Sequence, residues 1–203
     1  WLTQLFPDPL KRKFLEKEES VKRARKVLEG EESFDQDLWD QIIEMGFTAT
    51  AIPEEYGGLG LGYLELCVIA EELGRSLAPT PFSSSVYLAS EAIINFGDES
   101  QKKSFLPGLA SGEKIGAFAH NETNTSPTEA NISCSFSGET LSGTKIAVAD
   151  GDVANTFIVT ANNGTGVSLY LVDGSAGGIQ IEPQSTLDPV SYTHLTLPTT
   201  SCV

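Results

Sequence analysis

The chain has 203 residues, 40% of them hydrophobic and 20% charged, which is ordinary for a folded globular protein. Its formal net charge of −15 argues against nucleic-acid binding, which requires a basic surface, so we expect no nucleic-acid partner. It has no apolar run long enough to predict membrane insertion. Three widely spaced cysteines without a CxxC pair predict neither a zinc site nor a disulfide framework. These features predict a cytoplasmic protein.

Helical periodicity dominates the first half of the chain. Apolar residues at three- and four-residue spacing predict helices over residues 9–29, 34–45, 63–73, 83–96 and 100–110. Asp35 is placed to cap the start of the second helix. We expect Gly74 to end the third helix, because glycine favours the left-handed turn that follows many helices.

Short β-like runs replace the helical periodicity from Ile115 onward. Strands are predicted over residues 116–120, 133–136, 145–149, 156–161, 167–172 and 178–181, with turn residues between them. Helices followed by strands predict an α+β fold in two domains. We place an all-α amino-terminal domain at residues 1–113 and a β middle domain at residues 114–189.

The last fourteen residues, 190–203, break this pattern. They are uncharged and rich in threonine, and they resemble the translated sequencing-adapter tails found on truncated environmental reading frames. We therefore expect this tail to be foreign to the fold, and we assign no function to His194 or Cys202.

A glycine-rich loop over residues 52–62 precedes the third predicted helix. Its glycines stand at positions 57, 58, 60 and 62, which is not the G-x-G-x-x-G spacing of a dinucleotide site. Glu54 and Glu55 would also repel a pyrophosphate. The loop therefore predicts a tight structural turn that uses the backbone freedom of glycine.

Two further groups were candidates for chemistry. Glu71 and Glu72 are adjacent on a predicted helix and point about a hundred degrees apart, so a solvated face is favoured over an acid/base pair. His120 ends a short apolar strand, where a strand-end or cofactor-loop position is favoured over a metal site. From the residues alone, no catalytic set and no metal site is evident.

Several segments, taken together and in this order, resemble the acyl-CoA dehydrogenase family. They are Trp39, Met45, and residues 46–47, 52–60, 71–75, 97–102, 106–113 and 141–145. The resemblance extends over roughly residues 10 to 189. It implies a helical amino-terminal domain and a small β-barrel-like middle domain, followed in the family by a carboxy-terminal helical bundle that is absent from this sequence. The chain is therefore expected to be a truncated piece.

The resemblance implies a reaction and its partners. In the family, a carboxylate removes the α-proton of an acyl-CoA thioester while the β-hydride passes to FAD, which supplies the redox chemistry. The base usually comes from the carboxy-terminal domain, so we predict no catalytic residue in this chain. Acyl-CoA and an electron-transfer flavoprotein are the implied partners, and the full-length protein is expected to be a homo- or hetero-oligomer.

The resemblance also implies flavin contacts, in a form that departs from the family pattern. Asn121 stands where a threonine is usual, Ala147 replaces an aromatic ring, and Ala149 lacks a hydroxyl. Pro127 stands where the family commonly offers a backbone N–H. The implied cofactor-binding residues are Phe118, His120, Asn121, Ala147 and Ala149, and they form a weakened FAD motif.

These departures leave three interpretations open. The chain is a piece of an FAD-dependent acyl-CoA dehydrogenase, or a non-catalytic subunit that pairs with an active homologue, or an α+β binding module without a redox role. In the first case we expect the piece to be inactive alone. Its apolar faces would then be exposed and would make it poorly soluble or oligomeric.

Overall fold

The structure is a computed structural model that describes residues 17–125, 128–184 and 192–199, and in it the helices precede the strands. The α-helices are α1 (Lys17–Leu28), α2 (Gln36–Glu44), α3 (Tyr63–Arg75), α4 (Glu91–Phe96) and α5 (Glu99–Ala110). A 3₁₀ turn at Glu54–Tyr56 precedes α3, and a π-helical segment at Ser83–Ser90 leads directly into α4.

Each predicted helix has a counterpart in the structure. Residues 9–16, the start of the first predicted helix, lie outside the described residues. The Asp35 cap is confirmed, because its Oδ1 accepts a hydrogen bond from the Leu38 N–H at 2.8 Å. The prediction that Gly74 ends α3 is wrong. The helix continues to Arg75, since the left-handed turn is made by Leu77, with a φ of 51°.

The fourth predicted helix is not uniform. Its first part, Ser83–Ser90, is a π-helix, and only Glu91–Phe96 is α-helical. The Ser90 hydroxyl donates to the Ser85 carbonyl, five residues earlier, at 2.8 Å. Wide helical turns of this kind are rare and occur frequently at functional sites.

The strands form one curled, mixed sheet. They are β1 (Gly116–Ala119), β2 (Ser135–Ser137), β3 (Thr140–Ala149), β4 (Thr156–Asn162), β5 (Val167–Asp173), β6 (Gln180–Gln184) and β7 (Tyr192–Thr199). Their order is β1-β4-β2-β3-β7-β6, with β5 beside β4. The α+β fold, with helices followed by a β-barrel-like part, is confirmed. The domain boundary at residues 113 and 114 stays a prediction.

The expectation that residues 190–203 are foreign to the fold is wrong for β7. This strand pairs antiparallel with β3 on one side and β6 on the other. Leu195 and Leu197 are buried at 0% and 2% exposure, because Thr193, Leu195 and Leu197 alternate at the period of a strand. The non-native origin of the tail stays a prediction.

Helices and sheet share a hydrophobic core. One buried cluster belongs mainly to the helices, and includes Trp39, Ile42 and Ile69. A second lies within the sheet and includes Phe157 and Leu195. A third joins the two parts, since it places α4 and α5 against β4 and β5 through the following residues: Ile93, Leu106, Leu109, Ile158 and Leu171. No helix in the described part of the chain has the length and apolarity that a membrane crossing requires.

Candidate functional site

The glycine-rich loop is a closed turn whose backbone donors are already used. The N–H groups of Gly58, Leu59, Gly60 and Leu61 donate to the carbonyls of Pro53, Ala49, Ile52 and Thr50, at 2.8 to 3.1 Å. The Gly62 N–H donates to Glu65 Oε2 at 2.8 Å. A phosphate cradle needs free N–H groups, so this loop is a structural turn.

The pair of acidic residues on α3 is likewise structural. Arg75 Nη2 donates to Glu71 Oε1 at 2.7 Å, and Arg75 Nε lies 3.9 Å from Glu72 Oε1. The Arg75 and Glu71 side chains are both more than half exposed. Exposed ion pairs of this kind contribute little energy, and this one belongs to the solvated surface of α3.

The two segments predicted to contact flavin meet where the end of β1 approaches β3, a place that we call the flavin edge. Phe118 lies in β1, and His120 and Asn121 follow its end, whereas Ala147 and Ala149 lie in β3. The Ile146 N–H donates to the Asn121 carbonyl at 2.8 Å. The structure therefore joins the segment that follows β1 to β3 through their backbones, and the flavin contacts of the five residues stay a prediction. Pro127 lies outside the described residues.

A β-bulge in β3 sets which of these side chains face outward. Lys145 pairs with Leu195 and the next pair along the strands is Val148 with Thr193, so β3 carries one extra residue there. Ala147 has a φ of 50° and its side chain is exposed, whereas Val148 is buried. Because a bulge reverses the alternation of the strand, Ala147 points away from the core.

A buried ion pair lies directly beneath this edge, and sequence reasoning missed it. Lys145 is 0% exposed. Its Nζ donates to Glu122 Oε1 at 2.6 Å, to Thr160 Oγ1 at 2.9 Å and to the His120 carbonyl at 3.4 Å. The three protons of the ammonium group therefore all have acceptors.

Glu122 extends the network to a further segment. Its Oε2 accepts from the Ser133 N–H at 2.7 Å and from the Ser133 hydroxyl at 2.5 Å, and its Oε1 accepts from the Cys134 N–H at 3.0 Å. Although burial acts to raise it, these donors and Lys145 hold the pKa of Glu122 below its usual range. Glu122 is therefore an ionised carboxylate whose two oxygens already accept four hydrogen bonds.

His120 is a neutral ring in this surrounding. Its Nδ1 lies 3.2 Å from Thr160 Oγ1, and its ring centroid lies 5.9 Å from that of Phe118. Burial lowers its pKa, the Lys145 charge lowers it further, and Glu122 acts in the opposite direction. The ring can thus serve as a hydrogen-bonding or stacking group near pH 7.

One signal in the sequence pointed to the ion pair. Leu141 and Lys145 lie at the inward phase of β3, and both are fully buried. A charged residue at an inward strand position needs a buried partner. Its partner Glu122 lies 23 residues earlier in the chain, which no local pattern indicates.

A second buried acid lies at the junction of helices and sheet. Asp150 follows β3, has a φ of 54° and is 4% exposed. Its Oδ2 lies 2.5 Å from the hydroxyl of Ser84 in the π-helical segment. Burial raises the pKa of Asp150 to about 7, the hydrogen bond with Ser84 lowers it and the charge of Asp152 raises it. Among the described residues, no three acidic, histidine or cysteine side chains form a group that could hold a metal ion.

Residues 10–113 match the family model described as acyl-CoA dehydrogenase, N-terminal domain. The match extends over just over half of the 203-residue chain. The chain belongs to the acyl-CoA dehydrogenase family. This confirms the resemblance that the ordered segments indicated.

Curated relatives and solved structures agree with this family. FadE27 of Mycobacterium tuberculosis, an acyl-CoA dehydrogenase, is 33% identical over 168 residues, which are 82% of this chain and 44% of FadE27. The ChsE4–ChsE5 complex of M. tuberculosis contains a chain that is 31% identical, with a TM-score of 0.75 over 88% of this chain and 49% of that one. The G363A variant of the steroid acyl-CoA dehydrogenase Tcur3481–Tcur3483 is 30% identical, with a TM-score of 0.80 over 98% of this chain and 55% of that one.

This acyl-CoA dehydrogenase family chain therefore spans about half the length, or less, of the relatives that it matches.

Proposed function

We propose that this chain forms the helical and β part of an FAD-dependent acyl-CoA dehydrogenase, which introduces an α,β double bond into an acyl-CoA thioester. Family membership supports the class of reaction. One observation carries the proposal to this chain, namely that Asn121 and Ile146 are hydrogen-bonded. That contact joins the two segments that carry the proposed flavin-contacting residues, which are Phe118, His120, Asn121, Ala147 and Ala149.

The residues at this edge fit a flavin through backbone and space rather than through large side chains. The exposed alanine at the bulge and the half-buried Ala149 leave room above the backbone. The Asn121 amide has no hydrogen-bond partner among the described residues, so its donor and acceptor are available to a ligand. Phe118 and His120 supply two adjacent rings at the end of β1.

The roles of these residues are to bind and orient. FAD, when bound, accepts the hydride. The Asn121 amide offers hydrogen bonds and the His120 ring offers a stacking surface, while Phe118 packs against the core between helices and sheet. Glu122 is unsuited to remove a proton, because its oxygens accept from Lys145, Ser133 and Cys134 and its pKa is lowered. We therefore assign no catalytic base within the described residues.

A second candidate function is a non-catalytic subunit paired with an active homologue. The observation that favours it is the combination of Asn121, Ala147 and Ala149, where the family pattern has threonine, an aromatic residue and a hydroxyl. Two of the similar structures are named as two components, ChsE4–ChsE5 and Tcur3481–Tcur3483. In this case the chain would contribute to assembly or substrate binding without reducing flavin.

The wider setting of the protein is also proposed from the family. Acyl-CoA would be the substrate and an electron-transfer flavoprotein would reoxidise the cofactor. A homo- or hetero-oligomer in the cytoplasm stays a prediction.

The deciding experiment uses the complete reading frame that contains this chain. We expect the purified protein to show a flavin absorption band and to oxidise acyl-CoA with an artificial electron acceptor. The substrate panel comprises straight-chain, branched and steroid acyl-CoA thioesters. A protein that stays colourless after FAD is added contradicts the enzyme proposal and favours the partner subunit. Oxidation by the 203-residue chain alone would contradict its expected inactivity.

Replacing Ala147 tests whether the missing ring weakens the flavin motif. Ala147→Phe restores an aromatic ring at the exposed position of the bulge, and aromatic pairs contribute about 0.5–1.5 kcal/mol beyond area burial. We expect FAD to bind roughly 2–10-fold more tightly. The control is Leu28→Phe, which adds a ring at an exposed position of α1 and should leave the FAD affinity unchanged. A buried alanine such as Ala161 could not serve, because a ring there would disturb the core.

A further inference from the structure

The Lys145 and Glu122 pair is almost completely enclosed. Lys145 has a side-chain exposure of 0% and Glu122 of 5%. Replacing a buried ion pair by apolar residues of similar volume is often neutral or stabilising. A pair kept at this depth is therefore most simply explained by what it holds in place.

The network joins four separate pieces of the chain. Glu122 accepts from the segment before β2 through Ser133 and Cys134. Lys145 comes from β3 and Thr160 from β4, and both contact the end of β1 at His120. Three contacts of the network end on His120, a residue of the proposed flavin edge.

The strongest consequence concerns the backbone between His120 and Glu122. Lys145 Nζ binds the His120 carbonyl on one side and the Glu122 carboxylate on the other. Asn121 lies between them, and its carbonyl is held by the Ile146 N–H, next to Lys145. The Lys145 side chain thus holds the residues on either side of Asn121, and the Ile146 N–H holds Asn121 itself.

We infer that Glu122, Lys145 and Thr160 act together as a positioning device that fixes His120 and Asn121 against the bulge of β3. The inference rests on the proposed function, because it assigns these residues the task of presetting the edge that receives flavin. Lys145 and Thr160 contact His120 with their functional groups, and none of the three is itself a proposed flavin-contacting residue. They are positioning residues that act through His120 and Asn121.

The histidine titration tests whether the charges of Lys145 and Glu122 face His120 in the folded protein. Lys145 lowers the pKa of His120 and Glu122 raises it. If the network holds His120, Lys145→Met raises that pKa and Glu122→Gln lowers it. If the variants only unfold the protein, both return His120 to the ordinary value. The chain has two histidines, so His194→Asn suffices to identify each resonance by NMR.

Thr160→Val is the third variant, since it removes the hydroxyl shared by Lys145 and His120 while keeping the shape of the side chain. We expect it to change the tautomer of His120 and to shift the Asn121 and Ile146 amide resonances. It also keeps the test decisive if Glu122→Gln fails to fold. Glu71→Gln is the matched control, because it breaks an exposed pair of similar length, 2.7 Å.

FAD binding gives the second readout, measured by quenching of FAD fluorescence. For Lys145→Met and Glu122→Gln we expect at least a tenfold weaker affinity, and for Glu71→Gln a change of less than twofold. Folded variants with an unchanged His120 titration and unchanged FAD affinity would overturn the inference. Opposite shifts of His120, together with shifted Asn121 and Ile146 amide resonances in Thr160→Val, in a protein that never binds FAD would support the positioning role and count against the proposed function instead.

Discussion

At the scale of single residues, Asp150 and Ser84 show how a buried carboxyl group that keeps its proton can complete a chain of hydrogen bonds. The Ser84 hydroxyl has one proton and lies 3.0 Å from the Pro81 carbonyl and 2.5 Å from Asp150 Oδ2. If Asp150 is protonated, it donates to Ser84, and Ser84 donates to Pro81. This arrangement leaves no carboxylate charge in a site that is 4% exposed.

Stability should therefore fall as Asp150 ionises. Its pKa is about 7 in the folded state against 3.8 ordinarily, so the folded state binds the proton more tightly. The free energy of unfolding then decreases between about pH 4 and pH 7, by on the order of 4 kcal/mol at 1.36 kcal/mol per pKa unit. Asp150→Asn keeps an acceptor for Ser84 and removes the titration.

We expect Asp150→Asn to gain stability relative to the wild type as the pH rises from 5 to 8, measured by urea unfolding. Asp173→Asn is the control. The pKa of Asp173 is lowered by Ser175, so its contribution is lost only below about pH 4. A difference between Asp150→Asn and wild type that does not change with pH would contradict the protonated acid.

A second residue-scale prediction concerns the glycine-rich loop. A Cβ at Gly58 would lie 1.8 Å from the Ile52 carbonyl oxygen, which the closed turn cannot relieve. We expect Gly58→Ala to lower the free energy of unfolding by about 3 kcal/mol. Gly57→Ala, with a φ of 85° and open space around it, should cost only about 1 kcal/mol. Equal effects in urea unfolding would show that the loop is not tightly closed.

At the scale of elements, β7 decides how much the last residues contribute to the fold. Leu195 is fully buried and pairs with Lys145 in β3. We expect Leu195→Ala to cost about 2–5 kcal/mol. The neighbouring Thr196→Ala, on the opposite face, should stay within about 0.5 kcal/mol. If neither variant differs from wild type in thermal unfolding, residues 192–199 do not form the strand.

At the scale of the whole molecule, apolar residues remain uncovered along α3 and α4. Tyr63 is 63% exposed, Leu64 59% and Phe96 77%. An open cavity of about 440 Å³ beside Tyr63 is lined by Cys67 and Tyr87. Exposed apolar patches of this kind favour association.

We therefore expect the isolated chain to self-associate at micromolar concentration. Leu64→Glu should shift the mass in analytical ultracentrifugation toward the monomer. Leu28→Glu, at a separate exposed position on α1, should not. A monomeric wild-type chain would contradict this prediction.

The sequence predicted local features well and distant ones poorly. The Asp35 cap depends on residues three positions apart, so it can be recognised from the local sequence. The Glu122–Lys145 pair depends on how β1 and β3 come together, which no local pattern encodes. The bulge at Ala147 was missed because alanine rarely takes a left-handed φ. The strand β7 was missed because composition was given more weight than the alternation of Thr193, Leu195 and Leu197.

The parallel pairing of β1 with β4 imposes an order of assembly during synthesis. Gly116 pairs with Thr156, so at roughly 10 residues per second β1 waits about four seconds for its partner strand. The helical part can form sooner, because its contacts join residues that are made before β4. One example is the hydrogen bond that the Thr48 hydroxyl donates to the Ala110 carbonyl at 2.8 Å. Gly116 donates to Ser85 in the π-helical segment at 3.1 Å. The helices thus provide a surface against which β1 can pack before the remaining strands have been synthesised.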